Sequence, residues 1–377
     1  MQSRTPLFAV PPARRVAAVA AAATTRPRHL VPISRLRVPR RRGRRRHLLA
    51  VLFIALVALA GCGGEMESES PGSASGPPVE AVIGLTYIPD VQFAPFYLAE
   101  EAGYFAEAGV EVELRHHGAS ESLFGALEAG QEDLVVAGND EILQAVAAGT
   151  EVRSVATMYQ DYPVQIFVPE QSPYQEVADL AGHSIGVPGP FGQSWFGLLG
   201  YLDQAGLDTG DVHIEHVGFT LFNALSEGHV DAVTGFVTGD TAAFATGEFP
   251  VRTIADPASL PLVSVGLGAS DPWLADHGEA VPAVIEALAR AVDDIRADPT
   301  VAVEAAAVHI PGTMSPEDEA AALLTAEAMV ELYGTGDFGQ QDPAAWDEMA
   351  LFMDQMGLLD RSVAADEAYT DEFTPAQ

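Results

Sequence analysis

Side chains able to do chemistry gather in a few loop stretches of this sequence. Tyr87-Ile88-Pro89-Asp90-Val91-Gln92-Phe93 combines two aromatic rings with two polar groups. Gly138-Asn139-Asp140 precedes a helical pattern, where free N–H groups can hold a carbonyl or an anion. Tyr159-Gln160-Asp161-Tyr162 repeats the aromatic and polar mix, and Pro190–Trp195, Gly218-Phe219-Thr220 and Thr238-Gly239-Asp240 extend it. The rings of Tyr87, Phe93, Tyr159, Phe191, Trp195 and Phe219 can sandwich a flat molecule, each stacked pair contributing about 0.5–1.5 kcal/mol beyond burial. Asp90, Gln92, Asn139, Gln160 and Gln193 can hydrogen-bond ring N–H and C=O groups. The chemistry implied is recognition of a planar heteroaromatic ligand in a cleft. Each aromatic suits a core position as well, and Asn139 and Thr238 suit helix caps as well as ligand contacts. Trp195, beside Gly192 and Gln193 at a loop–helix junction, favours the cleft.

Covalent chemistry finds little support. Cys62 is the one cysteine, and its surroundings give it another role, described below. A P-loop needs a lysine, and the chain has none. Gly189–Trp195 is glycine-rich but fits neither dinucleotide nor nucleophile-elbow spacing. His116 and His117 are neighbours on a strand-like stretch, so they point to opposite faces and read as partly exposed polar residues. His213 and His216 also fall on opposite faces. Neither a catalytic residue nor a metal nor a cofactor is expected.

The elements that must position these loops alternate. Val82–Ile88 is an apolar run suited to a strand covered on both faces. Pro95 falls in the first turn of the helix that follows, and Gly103 and Gly109 break the helical segments. Val110–His116 reads as a strand and Ser120–Ala129 as a helix capped by Ser120. Asp133–Ala137 is a strand, followed by a helix through Ala148 and a strand at Val152–Tyr159. Val164–Pro169 is a strand leading away from this series. A second series begins with helix Tyr174–Leu180 and strand Ser184–Val187, then helix Ser194–Ala205 and strand Val212–Val217. It continues with helix Thr220–Glu227, strand Val230–Val237, helix Thr238–Ala245 and strand Val251–Ala255. Leu262–Leu267 is a returning strand. Strand–helix alternation of this kind specifies an α/β fold with mainly parallel strands, whose ligands sit at the strands' carboxyl ends. The remainder is helical: Pro282–Ala297, with Val284, Leu288, Val292 and Ile295 on one face, then Glu317–Tyr333 and Pro343–Met356. Met329, Met349, Met353 and Met356 read as helix-face core, and residues from Asp366 onward as a frayed end.

Charge divides the chain at Cys62. Thirteen of the 19 basic residues precede it, all Arg, with no acid among them; beyond it 6 Arg face 53 acids, a net of −47. Such a field repels nucleic acid. Acids spread along the whole stretch read as solvated surface suited to high salt or high pH; an acidic face for a cationic ligand is the alternative. Arg-rich residues 40–46, apolar Leu48–Ala60 and small Gly61 precede Cys62 in signal-peptide order. Residues 1–61 are therefore expected to be a leader, and Gly-, Ser-, Glu- and Pro-rich residues 62–79 a flexible tether.

Beyond these readings, the words IPDVQFAPFYLA, GYFAEAGVEVE, MYQDYPV, GVPGPFG and VGF resemble, in order, solute-binding proteins related to thiamine-pyrimidine synthase. The resemblance covers roughly 82–270 and extends to that family's riboflavin-binding branch. It implies a type II periplasmic-binding-protein fold: two doubly wound α/β lobes, 80–168 with 262–377 and 169–261, joined by a two-strand hinge. Leu59-Ala60-Gly61-Cys62 resembles a bacterial lipobox, which implies an acylated Cys62, a lipid anchor to the cell membrane and an extracytoplasmic location. The implied partners are a planar vitamin and an ABC permease, with the protein a monomer and no nucleic acid involved. Riboflavin is the first expectation and a thiamine pyrimidine the second, with a lipid-anchored interaction protein lacking a small ligand as a third. The loops contain no Arg, which argues against phosphate or sulfonate ligands. The related synthases use a cysteine-rich motif that this chain lacks.

Overall fold

In the computed structural model, residues 77–118, 121–312 and 314–373 are described, all within one compact unit spanning 69–377. The expected leader, Cys62, all but the last residues of the tether, and the Ser120 cap lie outside the described residues.

The first series comprises β1 (Val79–Leu85), α1 (Ala94–Glu101), α2 (Tyr104–Glu107), β2 (Val110–His116), α3 (Gly125–Glu128), β3 (Leu134–Gly138), α4 (Asn139–Ala148) and β4 (Val152–Thr157). The second comprises β5 (Val164–Pro169), β6 (Ser184–Val187), α5 (Gly192–Gln204), β7 (His213–His216), α6 (Leu221–Ser226), β8 (Ala232–Phe236), α7 (Asp240–Thr246) and β9 (Val251–Thr253). β10 (Val265–Ser270) returns, and the chain closes with α8 (Asp271–His277), α9 (Val281–Ala297), α10 (Thr300–His309), α11 (Pro316–Leu332) and α12 (Pro343–Gln355).

Two mixed sheets result, ordered β2-β1-β3-β10-β4 and β7-β6-β8-β5-β9. In each, three adjacent parallel strands meet one reversed strand, and the fifth strand on its far side runs with the first three. β10 runs antiparallel to β3 and β4, and β5 antiparallel to β8 and β9. The reversed strand in each sheet lies beside the chain's crossing: β5 enters the second sheet and β10 re-enters the first. This is the two-sheet α/β architecture that the alternation specified.

Burial explains the apolar runs. Leu134 and Val136 of β3 join one core cluster, Val135 and Ala137 another, so the strand is covered on both faces. The first cluster takes the α9 stripe of Val284, Leu288, Val292 and Ile295, with Met329 of α11. Burying each such aliphatic side chain stabilises the fold by about 1.5–3 kcal/mol. The second cluster joins α4, α5 and α12, including Trp346, Met349 and Met353, while Met356 is half-buried against it. A smaller third one holds Phe167, Leu225, Val233 and Phe244.

Several sequence expectations are corrected. β1 starts and stops earlier than Val82–Ile88, which leaves Tyr87 and Ile88 beyond the sheet and partly exposed. The helix expected over Ser120–Ala129 is one turn, Gly125–Glu128. Tyr174–Leu180 contributes only a short 3-10 turn, Val177–Leu180. α8 and α10 were not expected. Residues from Asp366 through Thr370 are docked rather than frayed: Ser154 N–H donates to Ala368 O at 2.8 Å, and Thr370 N–H donates to Ser154 O at 2.9 Å.

Candidate functional site

The carboxyl ends of β1, β3, β6 and β8 face one hollow of about 490 Å³ between the two sheets. That is ample for a flat ligand of vitamin size. Tyr87 follows β1, Glu141 sits in the first turn of α4 after β3, Phe191 and Gln193 open α5 after β6, and Phe236 ends β8 beside Asp240 of α7. Phe219 and Glu121 complete the rim. Three of the rings face water: Tyr87 is 38% exposed, Phe191 58% and Phe219 76%. Large apolar rings left exposed around a concavity mark a surface shaped for an apolar partner.

The charged groups of the hollow are all acids. Glu141 caps its own helix, accepting from Gly138 N–H at 3.0 Å, and burial raises its pKa. Its neighbour Asp140 is raised too, first by burial and then by Glu141, although Tyr162 O–H donates to it at 2.6 Å. Burial raises Asp240 to about 6, opposed by the Phe236 N–H that it accepts at 2.8 Å. Glu121 goes the other way. Its pKa is lowered by Arg115, whose guanidinium lies 2.5 Å from it, and by Gly118 N–H. Arg115 is held on its other side by Glu132 at 2.5 Å, a buried carboxylate that also pairs with His117 at 2.8 Å. Glu132 fits there because residue 84 is glycine; a Cβ on Gly84 would fall 2.3 Å from its carboxylate. Among the described residues that line the hollow there is no Arg and no His.

These raised pKa values carry a sign. Asp140, Glu141 and Asp240 hold protons in the fold at pH values where the unfolded chain has released them. Over that window the native state binds more protons, so stability falls as pH rises. The melting temperature is therefore expected to climb as pH is lowered from about 8 toward about 5. Asp140→Asn should flatten that climb, as followed by circular dichroism melts across the range. An unchanged slope in the variant would mean that Asp140 is not protonated in the fold.

The residues expected at the site do not all gather there. Tyr87, Phe191, Gln193 and Phe219 line the hollow. Asp90 lines a neighbouring recess of about 500 Å³ between α7 and α11, where burial raises its pKa and Gln92 N–H donates to it at 3.0 Å. Gln92, Phe93, Asn139, Tyr159, Gln160, Trp195 and Thr238 line neither space. Phe93 is buried edge-on to His116, and Tyr159 is buried against Tyr333. Gln160 is exposed, its Nε2 donating to Thr157 O at 3.2 Å. Trp195 lies half-buried on the second core cluster. Asn139 is fully buried, donating to Thr157 Oγ1 at 3.1 Å, and Thr238 offers its carbonyl to Thr325 at 2.7 Å. The cap positions belong to Gly138 and Gly239, one residue ahead of α4 and α7, not to Asn139 and Thr238. His117 is buried rather than partly exposed.

Glu121, Glu141 and Phe236 were missed, and Asp240 was placed in a site loop without being given a role. Glu141 and Asp240 had a legible signal, since each is an acid in the first turn of the helix that follows a strand. That signal reads equally as a helix-dipole partner.

Residues 90–302 match the family model described as NMT1/THI5 like. The riboflavin-binding protein RibY of Chloroflexus aurantiacus is 28% identical over 302 residues, covering 78% of this chain and 86% of that protein. The formylaminopyrimidine-binding protein of Halalkalibacterium halodurans is 24% identical over 341 residues, covering 85% of this chain and 96% of its own. The fold matches that of the periplasmic aliphatic sulphonate binding protein SsuA from Escherichia coli with a TM-score of 0.65 at 20% identity, over 77% of this chain and 97% of that one.

Proposed function

Because this chain belongs to the NMT1/THI5-like family, we propose that it is the solute-binding component of an ABC importer and that it captures riboflavin in the hollow between its two sheets. The observation that carries this reading is a ring-lined hollow without a cation: Tyr87, Phe191, Phe219 and Phe236 around it, and no Arg among its described lining. Stacking and burial suit the flat isoalloxazine. The carboxylates of Glu121, Glu141 and Asp240 can accept from ligand hydroxyl and N–H groups. The same carboxylates repel FMN and sulfonates, which need a positive partner. The similarity to RibY supports this choice of ligand.

The two halves act as lobes that close on the ligand; because β5 pairs within the second sheet, the first lobe ends before Val164 rather than at residue 168, and residues 158–163 and 254–264, not two strands, are the crossing segments. Closure requires only that the ligand bind the shut form better than the open one. The protein works outside the cytoplasm, tethered through acylated Cys62, and hands its ligand to a membrane permease without covalent chemistry. The binding step needs no cofactor.

A second reading has its own observation. Glu141 and Asp240, opposing carboxylates from the two halves, also suit a protonated aminopyrimidine, and the formylaminopyrimidine-binding relative supports it. Titrating the purified protein with riboflavin, FMN and a hydroxymethylpyrimidine, followed by fluorescence, separates the two. Saturable quenching by riboflavin alone is the expected result. Binding of the pyrimidine alone transfers the site to the second reading, and silence with all three ends both.

Trp195 serves as the control. Trp195→Ala is expected to leave riboflavin affinity within about twofold while lowering the melting temperature, as befits a core contact away from the hollow. A drop of tenfold or more in the same titration, roughly 1.4 kcal/mol, would return Trp195 to the ligand.

A further inference from the structure

Tyr87 is held in place by His116, which the sequence reads as partly exposed and which is half-buried. After β1 the chain bends sharply, with Tyr87 N–H donating to Leu85 O at 2.8 Å. The Tyr87 carbonyl faces the imidazole Nδ1 of His116 at 3.0 Å. A carbonyl can only accept, so Nδ1 carries the proton. Nε2 is then the acceptor, and the Tyr97 hydroxyl donates to it at 2.9 Å. Tyr97 is fully buried in α1 and stacks on His309 of α10, ring centres 4.0 Å apart and planes 8° from parallel. Phe93 presents an edge contact to the same imidazole at 5.6 Å and 70°. The ring is thus fixed by two hydrogen bonds and an aromatic neighbour, and its tautomer is set by its partners. Burial pushes its pKa down, as do His309 and His117, against the pull of the Tyr87 carbonyl, so the imidazole stays neutral.

We propose that His116 is the positioning residue for ligand capture: by anchoring the Tyr87 carbonyl it presents the Tyr87 ring to the hollow, and affinity depends on that anchor. The proposal rests on the hollow being the ligand site. It assigns to β2, whose last residue does not line the hollow, control over a ring that does.

The test uses His116→Ala, which removes the donor, and His116→Asn, whose side-chain N–H can stand where Nδ1 stands. Riboflavin affinity is expected to fall about fivefold in the alanine variant, the equivalent of one lost hydrogen bond, and to return within about twofold of wild type in the asparagine variant. The loss should vanish in a Tyr87→Ala background, because there is no ring left to present. Hydrogen exchange at the Tyr87 amide supplies a readout that needs no ligand. It should speed up in His116→Ala and stay slow in His116→Asn. Exchange unchanged in His116→Ala overturns the anchor itself. Faster exchange with unchanged riboflavin affinity, or losses that simply add to those of Tyr87→Ala, overturns its role in capture. If wild type ignores riboflavin yet exchange responds as expected, the anchor stands and only the choice of ligand fails.

Discussion

Replacing both Tyr87 and Phe191 with alanine is expected to weaken riboflavin binding by about a hundredfold. Phe191 precedes α5 in the second half, and Tyr87 follows β1 in the first, so the pair spans the opening. Each ring contributes stacking of about 0.5–1.5 kcal/mol together with the apolar area it buries on the ligand. Both are already exposed on the fold, so their removal costs it little. Affinity should therefore drop while the melting temperature holds. The measurement is a fluorescence titration of the double variant beside a thermal melt. Undiminished affinity would place the ligand elsewhere, and a collapsed melt would show that the rings serve the fold.

The second large effect concerns stability. Trp346→Ala should destabilise the protein by about 3–5 kcal/mol. Trp346 is fully buried, its indole N–H donates to Gln341 Oε1 at 3.0 Å, and its ring stacks on Tyr369 at 4.9 Å and 14°. Gln341 in turn donates to Ser154 O at 3.1 Å and to Thr370 O at 3.2 Å, and accepts from Thr157 Oγ1 at 3.0 Å. Truncating the indole leaves a void and loosens this junction. Against a typical total of about 5–15 kcal/mol that is a large share, and denaturant titration should show it as a lower midpoint. A midpoint that barely moves would mean that the tail and α12 contribute little to the fold.

Strand–helix alternation was legible because its signals are local. β2, β5 and β6 lie where the apolar runs put them, bounded by turn residues. α10 was not legible: TVAVEAAAVH is rich in alanine and has no clear polar face, so periodicity gave no mark. α8 did have a mark, Ser270 accepting from Trp273 N–H, ahead of Asp271-Pro272. The site was half legible for a different reason. A ring such as Phe93 and a ring such as Phe191 look alike in sequence, and only the end point of the neighbouring strand decides which one meets water. β1 stops at Leu85, so Tyr87 escapes the core, whereas Phe93 folds back onto it. Asn139 lost its expected cap role because Gly138 takes that position in extended backbone, which turns the amide inward toward Thr157. The partnership of His116 with Tyr87 joins residues 29 apart through a carbonyl, which no side-chain pattern encodes.

The docked tail has a consequence for how these molecules meet one another. β4 is the outermost strand of its sheet, and Tyr369 bridges Ser154 in parallel while Gly339 bridges Thr157 from the antiparallel side. Backbone groups that would otherwise offer a template for a neighbouring chain are thus already satisfied. A protein cut short after Ala364 would keep its rings, its hollow and the Gly339 bridge yet bare the Ser154 end of that border, and self-association through strand pairing there, rather than loss of ligand, is the failure such a truncation would bring.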